Sequence, residues 1–207
     1  PLVDVPEEMI AKRKAAEAQL REARKGLATR REAWAQELVT GSESGEIEWN
    51  PANVTTATST EGKLSKQEDG SWLIEGKTVK PTYTVQLSPG EGTITALKID
   101  ALTDDSFSKP RQLSRSTNGN FVVSEIELSI DGNPVTLSEA TATFEQGNFP
   151  AKQVIDGNPN SGWAVFEQTP SDVSLLLKLA TPLNATAENK LVLTVHHNSH
   201  YLSLIHI

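Results

Sequence analysis

Two hydrophobic periods divide the chain. Over residues 6–40, Ala16, Leu20, Ala23, Leu27, Trp34 and Leu38 recur at spacings of three, four or seven. That is one narrow apolar stripe on a helix. Ala, Glu, Lys, Arg and Leu fill the stretch, all good helix formers. Pro6, Glu7 and Glu8 suit its first turn. Gly26 weakens the pattern, Arg30 and Arg31 interrupt it, and Gly41 reads as its stop. The stripe suits packing on the helix's own domain or on a neighbour, and is short for a self-associating coiled coil. Residues 41–46, Gly-Ser-Glu-Ser-Gly-Glu, read as a linker.

From Ile47 the period becomes two, the repeat of half-buried strands. Strands are predicted at 47–49, 52–58, 72–74, 82–87, 93–101, 120–130, 135–137, 140–145, 162–166, 173–179 and 190–196. Turn signals separate them, among them Asp69-Gly70, Pro89-Gly90, Asn118-Gly119, Asp131-Gly132 and Asp156-Gly157. Val122, Ser124, Ile126, Leu128 and Ile130 fall on one face, and Glu125, Glu127 and Ser129 on the other. Ile94, Ala96, Leu97 and Ile99 suit a buried central strand. The pattern predicts a mainly β fold: an antiparallel β-sandwich or jelly roll over residues 46–201, preceded by one long N-terminal α-helix. Residues 102–119 form one long polar loop, a length that is often functional.

Charge narrows the partners. Residues 6–40 carry eight Lys/Arg against six Asp/Glu, but residues 41–207 carry eleven against twenty. An acidic body repels phosphate backbones and anionic lipid, so nucleic acid is not expected as a partner. No apolar run approaches the roughly 20 residues of a membrane span. Cysteine is absent, which removes disulfides, thiolate metal sites and cysteine nucleophiles. Without Cys-x-x-Cys-His this fragment attaches no haem. Nucleophile elbow, phosphate-cradling loop and His-Glu-x-x-His are also missing, and Asp104-Asp105 reads as a solvated pair. No enzyme is expected. The chain opens on Pro1 without a leader, and both ends read as cuts in a longer protein.

Three segments carry a resemblance. They are Ile94-Thr95-Ala96-Leu97-Lys98-Ile99-Asp100, then Asn118-Gly119-Asn120-Phe121-Val122-Val123-Ser124-Glu125-Ile126-Glu127-Leu128, and finally Ala140 to Gln146 with Phe149-Pro150-Ala151, Ile155-Asp156-Gly157 and Ser161-Gly162-Trp163-Ala164. Their order resembles a module of large exported planctomycete-type proteins that also carry a cytochrome c domain, where it follows an Arg/Glu-rich helical stretch with a Trp. The third segment is similar to the start of discoidin-type, galactose-binding-like jelly rolls, which include many carbohydrate-binding modules. The resemblance implies export to the periplasm or cell surface, with flanking domains and a polysaccharide or glycan as partners. Residues 202–207, Leu-Ser-Leu-Ile-His-Ile, depart from the closing strand that the module should have. They read as a gene-model artefact.

The candidate sites follow. Asp156, Asn158, Asn160 and Ser161 offer oxygens within one loop, as a calcium loop needs, and Glu125 could join from a neighbouring strand. The resemblance implies a structural calcium there; an ordinary hydrogen-bonded turn is the alternative. Trp72, Trp49 and Trp163 are candidates for a sugar platform or for the core. Lys109, Arg111, Arg115 and Asn118 on the long loop offer a ligand-binding rim able to fork onto carboxylates or sulfates of anionic polysaccharides, or simply face solvent. His196, His197 and His200 suggest a metal, but neighbours on a strand face opposite ways. The leading expectation is a non-catalytic carbohydrate-binding module using Trp72, Arg111, Arg115 and Asn118, with Asp156, Asn160, Ser161 and Glu125 on calcium. The alternative is a spacer that docks flanking domains; a glycoside-acting enzyme comes third.

Overall fold

The computed structural model describes residues 8–9, 11–19, 21–22, 33, 36–37, 40–41, 49–76, 80–107, 111–168 and 170–198. Two compact units divide the chain after Glu48. In the first, every described residue is helical. Lys12 pairs with Glu8 at 2.7 Å and Arg13 with Glu17 at 2.7 Å, one turn apart on exposed surface. Gly41 is itself helical, so it is not the stop expected from its lack of a side chain. Of the apolar stripe, Ala16 is described and exposed; its other members and the linker from 42 lie outside the described residues.

The second unit is an antiparallel β-sandwich. Its strands are β1 (Asn53–Ser59), β2 (Lys63–Lys66), β3 (Trp72–Glu75), β4 (Thr82–Ser88), β5 (Gly92–Ala101), β6 (Val122–Val123), β7 (Glu125–Ile130), β8 (Asn133–Val135), β9 (Leu137–Ala142), β10 (Trp163–Ala164), β11 (Val173–Ala185) and β12 (Leu191–His196). One sheet runs β1-β4-β12-β7-β8 and the other β5-β11-β9; two pairs, β10-β6 and β2-β3, complete the unit. Alternation sets the inner faces. Tyr83, Val85 and Leu87 on β4, Ile126 and Leu128 on β7, and Leu191, Leu193 and Val195 on β12 share one core with Leu175, Leu177 and Leu179 on β11. Burying each such side chain contributes about 1.5–3 kcal/mol. Among the described residues no helix is long and apolar enough to cross a membrane.

Four elements depart from the sequence pattern. The 120–130 strand breaks at Ser124, whose backbone N–H and hydroxyl both reach His196 O, at 2.8 and 2.9 Å. The Ile94–Ile99 strand is an edge, not the centre; β11 holds the middle of that sheet. β11 itself runs on to Ala185 past Pro182, because its register with β5 shifts between Lys178 and Leu183. A shift of that kind is where a sheet tolerates proline. Trp49, placed in the strand 47–49, lies outside any strand, while residues 47 and 48 lie outside the described residues.

The long loop is neither free nor merely solvated. Phe107 and Leu113 are buried, as are Ser114 and Ser116. Asp104 N–H donates to Gln112 O at 3.0 Å, closing the loop on itself. Asp172 Oδ1 accepts the Thr103 N–H and hydroxyl at 2.7 and 2.9 Å, tying its root to the start of β11.

Candidate functional site

The expected binding residues do not converge. Trp72 begins β3 half-buried and lines an apolar cavity of about 510 Å3 with Trp49, Leu64, Val85, Leu97 and Ile99. The cavity lies between the sheets, at the edge strand β5. Arg115 serves construction: its Nη1 donates to Ile74 O at 2.9 Å and staples the long loop to β3. Arg111 is exposed in a left-handed backbone turn at φ 57°. Lys109 lies outside the described residues. Asn118 alone of the set lines a second hollow, away from Trp72.

Trp163 is core. It is 1% exposed, packs edge-on against Phe121 with ring centres 5.0 Å apart, and donates from Nε1 to Phe144 O at 2.8 Å. Gly162 before it has φ 159°, and a Cβ there would strike Val123 O and sit 2.8 Å from Val122 Cγ1. Glycine is what lets β10 pair so closely with β6 and seat the indole.

The second hollow holds about 250 Å3 and is lined by Asn118, Asn120, Val122, Gln146, Phe149, Ala164 and Phe166. Phe166 is 47% exposed, against 1% for Trp163 three residues earlier. Three amides frame it, and backbone N–H groups fix their orientation. Asn118 Oδ1 accepts Asn120 N–H at 3.1 Å. Asn120 Oδ1 accepts Val165 N–H at 3.0 Å. Gln146 Oε1 accepts Phe166 N–H at 3.2 Å. A backbone N–H can only donate, so each of these atoms is the amide oxygen, and each NH2 is aimed elsewhere.

Two of the oxygens also have a second neighbour within the protein. Gln146 Oε1 takes a second bond, from Asn120 Nδ2 at 3.3 Å. Ser116 Oγ lies 2.9 Å from Asn118 Oδ1 and 2.7 Å from Asn120 O. Ser114 Oγ lies 2.6 Å from Asn120 O and 2.7 Å from Ser116 Oγ, so the single Ser116 hydroxyl hydrogen is shared among Asn120 O, Ser114 Oγ and Asn118 Oδ1. Among the described residues, the Asn118 Nδ2 and Gln146 Nε2 donors have no partner. Asn118-Gly119 was legible as a turn; Gln146 and Phe166 were missed as site residues, because it is tertiary contacts that occupy the Gln146 oxygen and leave the phenyl ring outside.

The Asp156 loop and Glu125 do meet. Gly157 N–H donates to Glu125 Oε2 at 3.1 Å. Asp156 Oδ1 accepts Asn158 N–H at 2.8 Å, and the Ser161 hydroxyl lies 3.0 and 2.9 Å from the two Asp156 oxygens. Asn160 N–H donates to Asn158 Oδ1 at 3.1 Å. Partial burial pushes Glu125 up to about 7, the Gly157 N–H opposes this, and the charges of Asp156 and Glu127 add to it. Among the described residues no group of three or more His, Asp or Glu could hold a metal ion. The four expected ligands fall short of the six to eight oxygens of a calcium shell, so carbonyls and waters would have to supply the rest.

The histidines diverge as strand geometry requires. His197 is buried, with Nδ1 2.8 Å from Val122 O and its ring edge-on to Tyr83. Burial pushes it down to about 4, outweighing the Val122 carbonyl, so the ring is neutral at pH 7. His196 faces the other way, with Nδ1 3.3 Å from Thr82 Oγ1 and Nε2 3.7 Å from Glu127 Oε1. His200 lies outside the described residues. Asp104 caps a turn through Ser106 N–H at 2.7 Å.

Compared with protein-family models, curated proteins and solved structures, the chain matches none.

Proposed function

We propose that the chain is a non-catalytic carbohydrate-binding module of a larger exported protein, and that the hollow beside Phe166 is its binding site. The observation that carries this is one exposed aromatic ring beside amide donors whose orientation is fixed from behind. Sugars offer apolar C–H faces for stacking and oxygens for hydrogen bonds, so a ring plus oriented amides is the complementary set. The hollow, about 250 Å3, is smaller than the roughly 300–1,000 Å3 of drug-sized pockets. It therefore suits one sugar residue or a chain end. Calcium, held by Asp156, Asn160, Ser161 and Glu125 with carbonyls and waters, would brace the neighbouring turn and not touch the sugar.

The test is a broad glycan array probed with the whole chain, in calcium and then in EDTA. Selective binding that Phe166→Ala abolishes and Trp72→Ala leaves intact is the expected outcome. Silence from the folded protein would overturn the reading. A second reading, a docking spacer between flanking domains, draws on the apolar cavity at Trp49 and Trp72. Array silence, together with capture of a flanking domain that Trp72→Ala prevents, would favour it.

A further inference from the structure

The hollow's hydrogen-bonding capacity is lopsided. Gln146 Oε1 accepts two bonds from within the protein, and Asn118 Oδ1 accepts Asn120 N–H with the Ser116 hydroxyl 2.9 Å away. An sp2 oxygen has two lone pairs, so Gln146 Oε1 is full and the place left on Asn118 Oδ1 is contested by Ser116. Their NH2 groups have no partner among the described residues. Among the three amides, one uncontested acceptor lone pair remains, on Asn120 Oδ1, which holds Val165 N–H.

An unsubstituted sugar brings several hydroxyl groups, each donor and acceptor together. Most of their O–H donors would lose water here and find no acceptor, which is costly when the group is desolvated. An acceptor-only carbonyl meets two ready NH2 donors. No charged side chain among the described residues lines the hollow. A carboxylate, sulfate or ammonium group on the ligand would find no opposite charge among these lining residues.

Resting on the carbohydrate reading above, we propose that the site selects a neutral N-acetylated sugar. The acetamido carbonyl accepts from Asn118 Nδ2 and Gln146 Nε2. Its methyl group and the adjacent ring face lie against Phe166. The uncontested acceptor lone pair, on Asn120 Oδ1, is enough for the single acetamido N–H. This departs from the anionic glycan that Arg111 and Arg115 suggest in the sequence, since Arg115 is spent on Ile74 O.

The experiment is a titration of the isotope-labelled chain, following the side-chain NH2 resonances of Asn118 and Gln146. The probes are an N-acetylhexosamine, its parent hexose, the free hexosamine, a hexuronic acid and an N-acetylated dipeptide. The expected result is that the N-acetylhexosamine shifts both NH2 pairs and binds at least tenfold tighter than the other four. Asn118→Asp and Gln146→Glu keep the oxygen that accepts the backbone N–H and replace only the donor. Each should weaken that binding at least tenfold while the melting temperature holds. Equal binding of parent hexose, or preference for the uronic acid or hexosamine, overturns the N-acetyl assignment and leaves the carbohydrate reading standing. Equal binding of the acetylated dipeptide overturns the sugar assignment. If no probe moves these resonances, both fail. Wild-type binding in both variants also overturns the assignment.

Discussion

Two concavities in the same sandwich are built on opposite plans. The larger, at Trp49 and Trp72, is walled by apolar side chains from both sheets, those of the edge strand β5 among them. The smaller, at Phe166, is framed by amides tied to backbone N–H groups of Asn120, Val165 and Phe166. The first is a gap in a hydrophobic core; the second is a set of donors held from behind. Volume and tryptophan content point to the first. Directional chemistry, which supplies specificity, points to the second. Trp163 and Phe166 condense the contrast into four residues, since one ring builds the frame and the other is left outside it.

The sharpest way to break this contrast is to truncate both rings. Trp163→Ala removes a buried indole, its edge-on contact with Phe121 and its bond to Phe144 O. It should destabilise the unit by about 3–5 kcal/mol. Phe166→Ala, at a half-exposed ring, should cost about 1 kcal/mol or less and abolish glycan binding. Urea unfolding followed by tryptophan fluorescence and circular dichroism measures both. Similar losses of stability for the two would show that Phe166 belongs to the frame, and the proposed site would lose its platform.

pH sharpens the contrast next, because the frame titrates and no described residue lining the hollow is charged. His197 is held down to about 4 from 6.5 by burial. The unfolded chain binds that proton first, so stability is full above pH 6.5 and is lost as pH falls toward 4. The loss attributable to His197 is about 3 kcal/mol. Glu125 works the other way. Its folded value, raised from 4.5 to about 7, gives stability that is full below pH 4.5 and lost as pH rises through 7. Between 4.5 and 6.5 the two slopes oppose each other. Glu125→Gln keeps an acceptor for Gly157 N–H, so it should stabilise the protein at pH 8 and steepen the decline toward acid. Sugar affinity, measured where the protein stays folded, should be flat across the same range. An unchanged stability profile in the variant would remove the Glu125 assignment, and a pH-dependent affinity would place a titrating group in the site.

Much of this frame was legible in the chain because alternation is a local signal. β4, β7 and β12 follow directly from it; that Glu125 meets the Asp156 turn is suggested instead by the oxygens a calcium loop needs. β2 was missed because Lys-Leu-Ser-Lys carries one apolar residue, too few to show a period. β5 was read as central because Ile94, Ala96, Leu97 and Ile99 are apolar; three of them instead line the open cavity. The site was less legible for a different reason. A free Gln146 NH2 depends on Phe166 N–H and Asn120 Nδ2 occupying its oxygen, 20 and 26 residues away. Arg115 looked available by composition, and a backbone carbonyl on β3 had already taken it.

The smallest expected effect concerns calcium, and it separates frame from hollow once more. The Asp156 turn adjoins Gly162, whose N–H donates to Gln153 Oε1 at 3.2 Å just before Trp163. A cation bound there would brace the seat of the indole. At tenfold excess over its dissociation constant, calcium should stabilise the unit by about 1.4 kcal/mol and raise the melting temperature by roughly 3 °C. EDTA should reverse the rise, and Glu125→Gln or Asp156→Asn should abolish it. Sugar affinity at a temperature well below melting should not change, because no expected ligand lines the hollow. A melting temperature indifferent to calcium would leave the turn as the hydrogen-bonded structure that Ser161 and Asn158 already close around Asp156. A calcium-dependent affinity without a change in melting would place the cation in the hollow instead, and overturn the division of labour between the two regions.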